Sequence, residues 1–169
     1  MTGDKPDPRL RTPMPWSTGP GVGFTTGTPW EAPQADGPSV TVVAQDGDSG
    51  SLLNLYRRLI HLRGANDALA TGRLIALSAS SPSVVAYLRR AGDHAVLVVA
   101  NLGDAPVSDV AFASEAGALA PGRYAPRSLL GGPDGAPLEV AGDGQVRGYV
   151  ALPGAIGRRQ VLVLDLTRR

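Results

Sequence analysis

Residues 73–101 read Arg73-Leu74-Ile75-Ala76-Leu77-Ser78-Ala79, then Val84-Val85-Ala86-Tyr87-Leu88-Arg89-Arg90, then His94-Ala95-Val96-Leu97-Val98-Val99-Ala100-Asn101. These are short runs rich in β-branched residues, and the period is that of strands. Ser80-Ser81-Pro82 and Ala91-Gly92-Asp93 separate them and have the length of hairpin connections. Val107–Phe112, Arg123–Leu130, Pro137–Val140, Gln145–Leu152 and Gln160–Leu166 continue the series. Gly131-Gly132-Pro133-Asp134-Gly135 and Gly142-Asp143-Gly144 punctuate it with turn residues. Up to eight short strands at this spacing predict an antiparallel β-sandwich over residues 72–169.

The pattern changes upstream. In Ser51–Arg63, the residues Leu52, Leu55, Tyr56, Leu59 and Leu62 recur at helical spacing, with Arg57, Arg58 and His61 between them. This predicts an amphipathic helix with one apolar stripe, placed within residues 49–66. Asp48 or Ser49 is expected to cap its start, and Gly64 its end. Residues 1–48 hold eight prolines and seven glycines, and no period survives there beyond a short Val/Thr alternation at Ser39–Ala44. They also hold Trp16, Phe24 and Trp30, which disordered tails seldom carry. The segment reads as a long irregular loop shaped to lie on another surface. The expected fold is therefore mainly β: a sandwich preceded by one amphipathic helix and a long irregular N-terminal segment.

Composition narrows the function. The 169 residues carry a formal net charge of +1, which gives nucleic-acid binding no bulk electrostatic support. Cysteine is absent, so disulfides and thiolate metal sites are excluded. The longest clean apolar run, Ala95–Ala100, has six residues, against about 20 for a membrane-spanning helix. No secretory signal is visible behind Met1, and a cytoplasmic location is the default expectation. Glycine and proline, at 22 and 15 residues, approach the level of low-complexity chains, while 43% hydrophobic residues demand a folded part.

Residue chemistry offers no catalytic constellation. His61 and His94 accompany no nucleophile elbow, and without nearby partners they make a poor metal site. The three glutamates, Glu31, Glu115 and Glu139, are scattered. Asp46, Asp93, Asp134 and Asp143 stand in turn contexts. No phosphate-cradling glycine loop is present, and no cofactor or metal is expected.

An ordered series of motifs then decides the family. It comprises Met1-Thr2-Gly3-Asp4-Lys5-Pro6-Asp7, Arg11-Thr12-Pro13-Met14-Pro15-Trp16, Gly23-Phe24-Thr25-Thr26-Gly27 and Pro29-Trp30. Val42–Gln45, Ser51-Leu52-Leu53-Asn54-Leu55-Tyr56-Arg57 and Leu59-Ile60-His61-Leu62-Arg63 complete it. Through residue 72 the chain resembles bacterial α-glucosidases and α-amylases of glycoside hydrolase family 13. For the sandwich the resemblance is one of topology.

The resemblance implies that residues 1–48 follow the eighth strand of a (β/α)8 barrel. It makes 49–66 the last barrel helix and 72–169 the C-terminal domain C. The family's two catalytic aspartates and its catalytic glutamate would lie upstream of Met1, which matches the last residue of a Gly-Glu-Glu-x-Gly-Met segment. The chain is thus expected to begin at an internal methionine and to be inactive alone. Its partner would be the missing barrel or a separately encoded barrel half, with an α-glucan reached only through the parent. Arg11 matches an arginine that lines the innermost sugar subsite, a role for the full-length context. Trp16 and Trp30 match loop anchors. The sequence departs from the pattern at Pro15, where glutamine is common, at Ser17, where aspartate is common, and at Asp67, where proline is frequent.

The alternative is a stand-alone β-sandwich module that binds carbohydrate or a protein. Its sugar platform would have to come from Tyr87, Phe112, Tyr124 and Tyr149, of which Tyr87 and Phe112 fit core positions better.

Overall fold

The computed structural model describes residues 11–168. The Met1–Asp7 motif and the first ten residues of the 1–48 segment lie outside the described residues. The chain forms two compact units, with the division after Ile60.

The second unit is mainly β, as expected. Its strands are β1 (Arg73–Ala79), β2 (Val84–Ala91), β3 (His94–Asn101), β4 (Val107–Ser108), β5 (Ala111–Ala113), β6 (Gly122–Ser128), β7 (Leu138–Val140), β8 (Tyr149–Val150), β9 (Ala155–Ile156) and β10 (Val161–Arg168). Eight of them form one antiparallel sheet in the order β7-β6-β10-β3-β2-β1-β5-β8, and β4 pairs with β9. The sheet is nearly closed. The amide of Ala136, just before edge strand β7, donates to the carbonyl of Ala151, just after edge strand β8, at 2.9 Å. The Tyr149 hydroxyl donates to the Ala136 carbonyl at 2.7 Å and tightens the same seam.

Alternation builds one core. Ala86 and Leu88 of β2, Leu97 and Val99 of β3, and Leu162, Leu164 and Leu166 of β10 point inward, with Phe112 and Tyr124 among them. Strand β3 differs from its neighbours. Its intervening residues Val96 and Val98 are buried too, in a second cluster on the outer face with Val163 and Ala68. A strand with apolar residues on both faces needs cover on both.

That cover is helical. Among the described residues three α-helices precede the sheet: α1 (Val42–Asp46), α2 (Leu52–Gly64) and α3 (Asp67–Ala70). Helix α3 starts at Asn66, whose side chain accepts from the Leu69 amide at 3.1 Å. Asp67 stands in its first turn, where the helix end favours an acid. Arg63 and Arg89 donate to the carbonyls of Ala70 and Ala68, among the last of the helix. Ala68 is fully buried, and Leu62 and Leu69 pack beside it against the outer valines. Gly72 then leads into β1. A Cβ at Gly72 would collide with the Ala68 carbonyl oxygen and meet the Arg90 backbone at 2.9 Å, so only glycine permits this approach.

The structure corrects several boundaries. The single strand expected over Val107–Phe112 is two, broken at Asp109 (φ 51°), where the chain leaves β9 for β1 and β8. Aspartate tolerates that left-handed geometry better than most residues. Gln145–Leu152 supplies only Tyr149–Val150, because Val146 pairs with Ser114 instead of with a strand. The Val/Thr alternation at Ser39–Ala44 forms a 3-10 turn (Pro38–Val40) and the start of α1, with the Thr41 hydroxyl accepting from the Ala44 amide. Helix α2 is capped by Ser51, not by Asp48 or Ser49: its Oγ accepts from the Asn54 amide at 3.2 Å. Gly64 is the last helical residue rather than a left-handed cap.

One polar side chain knots the loops beneath β3. Asn101 is 1% exposed. Its amide donates to the carbonyls of Ala105, Ile156 and Gly157, and its oxygen accepts from the Gly103 amide. Replacing it leaves those groups without partners. Asn101→Ala is expected to cost about 2–3 kcal/mol, read as a lowered urea midpoint at unchanged slope.

Candidate functional site

Residues 11–60 carry the motifs that resemble a glycosidase, and polar bonds shape them. The amides of Trp16 and Ser17 both donate to the Val22 carbonyl, at 2.9 and 3.1 Å, and close a small loop. Gly23 (φ 71°) seals it, since a Cβ there would meet Ser17 Oγ at 2.6 Å. Val42 and Val43 donate to the carbonyls of Pro15 and Trp16, each at 3.0 Å, and tie this loop to α1. Gln45 and Asn54 then bind α1 to α2. The Gln45 side chain bonds the Val40 carbonyl and the Leu53 amide. The Asn54 amide donates to the carbonyls of Gln45, Asp46 and Asp48. Arg57 pairs with Asp46.

The apolar side chains of this unit turn the other way. Among residues 11–60 only Pro13, Thr41 and Ser51 are buried. Met14, Trp16 and Phe24 are about half exposed, and Trp30 is 64% exposed. Helix α2 forms as predicted, yet none of its thirteen residues is buried. Leu52 and Tyr56 of the predicted stripe are exposed, as is Ile60 at 66%. Covering each large apolar side chain is worth about 1.5–3 kcal/mol, so this face is a strong candidate for contact. Arg11 stands exposed at the start of the described chain.

The second unit offers no sugar platform among the described residues. Phe112, Tyr124 and Tyr149 are core, and Tyr87 packs into the outer cluster. Burial raises the Tyr124 and Tyr149 hydroxyls above the ordinary phenol range. Several of its acids sit beside arginines: Asp104 with Arg158 and Arg159, Glu139 with Arg123, and Asp93 with Arg168. Arg147 hydrogen-bonds the Asp143 carboxyl and holds it down at about 2, whereas a glycosidic acid needs a raised value. No cluster of three or more metal-ligating side chains occurs among the described residues.

His61 is exposed on α2. His94, expected to lack a partner, has one. Its Nε2 lies 2.6 Å from Asp165 Oδ1, and the Thr167 hydroxyl donates to Asp165 Oδ2 at 2.8 Å. In a nucleophilic relay the hydroxyl would bond the imidazole. Here hydroxyl and imidazole share the carboxylate, so the group braces β3 against β10. Asp165 was detectable as the one acid inside the apolar run Val161–Leu166.

Comparison with known proteins now bears on these elements. The family "Alpha amylase, catalytic domain" matches residues 1–72. The chain is 36% identical over 91 residues to the probable oligo-1,6-glucosidase 2 of Bacillus subtilis, covering 54% of this chain and 16% of the relative. It is 37% identical over 94 residues to the probable alpha-glucosidase of Rhizobium meliloti, covering 56% and 17%. The fold matches the trehalulose synthase MutB from Pseudomonas mesoacidophila MX-45 with a TM-score of 0.64 at 25% identity, covering 93% of this chain and 25% of that one. The chain is part of a protein of glycoside hydrolase family 13, the α-amylase family. Within that family it holds the end of the catalytic domain and a C-terminal β-sheet domain. It spans about a sixth of the length of these curated relatives. The catalytic-domain match ends at residue 72, and β1 begins at Arg73.

Hydrogen exchange of the chain on its own is expected to separate the two units. Amides of β3 should exchange at least about 1,000-fold more slowly than those in the first turns of α2. Equal protection would show that the exposed face of α2 has found cover.

Proposed function

We propose that this chain is the non-catalytic C-terminal portion of a retaining glycoside hydrolase that acts on α-glucans. Residues 1–48 are the loop after the eighth barrel strand, 49–66 are the last barrel helix, and 72–169 are domain C, which supports the barrel. The exposed apolar face carries this reading. Helix α2 and the Trp16–Trp30 loop lie inside the catalytic-domain match, keep their backbone order through polar bonds, and leave their large apolar groups without cover within residues 11–60. A last barrel helix without its barrel has this character. The partner is a (β/α)8 barrel, in the same polypeptide or separately encoded. That barrel would supply the two carboxyl groups, about 5–5.5 Å apart, that retaining hydrolysis through a glycosyl-enzyme requires. The parent's substrates are malto- or isomalto-oligosaccharides.

In that setting Arg11 lines the innermost sugar subsite. A guanidinium presents its donors in a planar fork that can hold a carboxylate and a sugar hydroxyl together, which a lysine cannot reproduce.

The purified chain is expected to release no nitrophenol from 4-nitrophenyl α-glucoside above the buffer rate. Turnover that persists through further purification would overturn the reading. In the polypeptide that carries the barrel, Arg11→Lys is expected to lower kcat/KM about 10–100-fold with an unchanged melting temperature.

A further inference from the structure

The inner face of the sheet ends in arginines. Ile75 and Leu77 of β1 and Leu88 of β2 belong to the inner core. One alternation further along each strand stand Arg73 and Arg90, so both continue the same face beyond the core. They are also direct cross-strand partners in the β1–β2 register. On β10 the inward series Leu162, Leu164 and Leu166 ends in the same way, at Arg168.

Like charges directly opposite each other across a ladder destabilise it. No neighbouring acid offsets the Arg73–Arg90 pair. Asp93, in the turn after β2, lies 3.7 Å from Arg168. Arg73 forms no ion pair and no side-chain hydrogen bond among the described residues. Arg90 bonds only neutral carbonyls. Its Nε donates to Gly92 at 2.9 Å, and its Nη1 to Gly117 at 3.0 Å and Ala118 at 3.2 Å. These bonds fix the guanidinium and leave the N–H groups of Nη2 for another acceptor. Arg73, Ile75, Arg90 and Gly92 line a cavity of about 250 Å3. A Cβ at Gly92 would meet nothing within 4 Å, so the turn leaves this space open.

We propose that Arg73 and Arg90 form a binding site for a phosphate dianion, either inorganic phosphate or the phosphate group of a monoester. Two guanidinium groups on adjacent strands match two negative charges, and each presents a planar fork to the oxygens. Arg90 is held in place before the ligand arrives, so little side-chain entropy is lost on binding. The cavity is smaller than the roughly 300–1,000 Å3 that encloses an organic ligand. It therefore takes the phosphate, and the rest of an ester extends into solvent. A neutral sugar would leave the repulsion between the arginines in place. The site lies wholly within the β unit and does not rest on the function proposed above.

Titration calorimetry on this chain tests the site, with sodium phosphate, glucose 6-phosphate and glucose as probes. Ionic strength is held constant, at about pH 7.5, where the phosphates are mainly dianions. The unaltered chain is compared with Arg73→Gln and with Arg158→Gln, which removes the same charge near the opposite end of β10. The expected result is saturation by phosphate or glucose 6-phosphate with a Kd below about 10 mM. Arg73→Gln should weaken it at least about 10-fold, and Arg158→Gln less than about 2-fold. Saturation by both probes assigns the site to the phosphate group alone, and saturation by glucose 6-phosphate only assigns it to an ester. Without phosphate, Arg73→Gln is expected to have a urea midpoint equal to or above that of the unaltered chain, because the repulsion is gone. A lower midpoint makes Arg73 a structural residue and overturns the site. So does no saturation by either phosphate, equal binding of glucose and its phosphate, or the same affinity in both variants.

Discussion

The second unit depends on the two-sided burial of β3. An antiparallel sheet with one wet face can stand alone, but a central strand apolar on both faces cannot. Val96 and Val98 lie under Ala68 and Leu69, while Leu97 and Val99 lie in the inner core. The short helix before the sheet is thus a part of its core. That demand explains the local details around it: the Asn66 cap, the arginines on the last helical carbonyls, and Gly72, where no side chain fits. Each lets a four-residue helix, too short to persist by itself, hold its place.

The first unit solves the opposite problem. Its described residues have local order with almost no apolar burial of their own. Thr41, Gln45, Ser51 and Asn54 satisfy backbone groups that turns and helix ends leave open. Such bonds fix a shape, yet contribute about 0.5–1.5 kcal/mol each, and water competes for them. A surface pre-shaped by polar brackets, with its tryptophans and leucines outward, pays little ordering entropy when it meets a partner. That property links the backbone chemistry to the proposed role.

Much of this was legible in the residues. Strands β1 and β3 begin and end where periodicity puts them, and α2 differs by one residue at each end. The motifs of residues 1–63 carried the family resemblance. What escaped was governed by contacts distant in sequence. The break at Asp109 is set by pairing with two different strands, which no local window contains. Strand β8 is short because Ser114, far upstream, captures Val146. His94 gained a partner 71 residues away through the β3–β10 register. The cap at Ser51 instead of Asp48 reflects a competition between neighbours: Asp48 already accepts from the Gly50 amide. The candidate site was legible as a set of residues, while the direction in which its apolar groups point required coordinates.

Gly72 has an implication for how such proteins can be rearranged in evolution. The family's catalytic-domain boundary falls at this residue, while the compact units part after Ile60. A recombination event that followed the family boundary would separate the sheet from the helix that completes its core. One that followed the physical boundary would carry residues 61–72 along as part of the sheet. The physical unit of this β domain is therefore longer than its strands, and residues 61–72 belong both to it and to the catalytic-domain match.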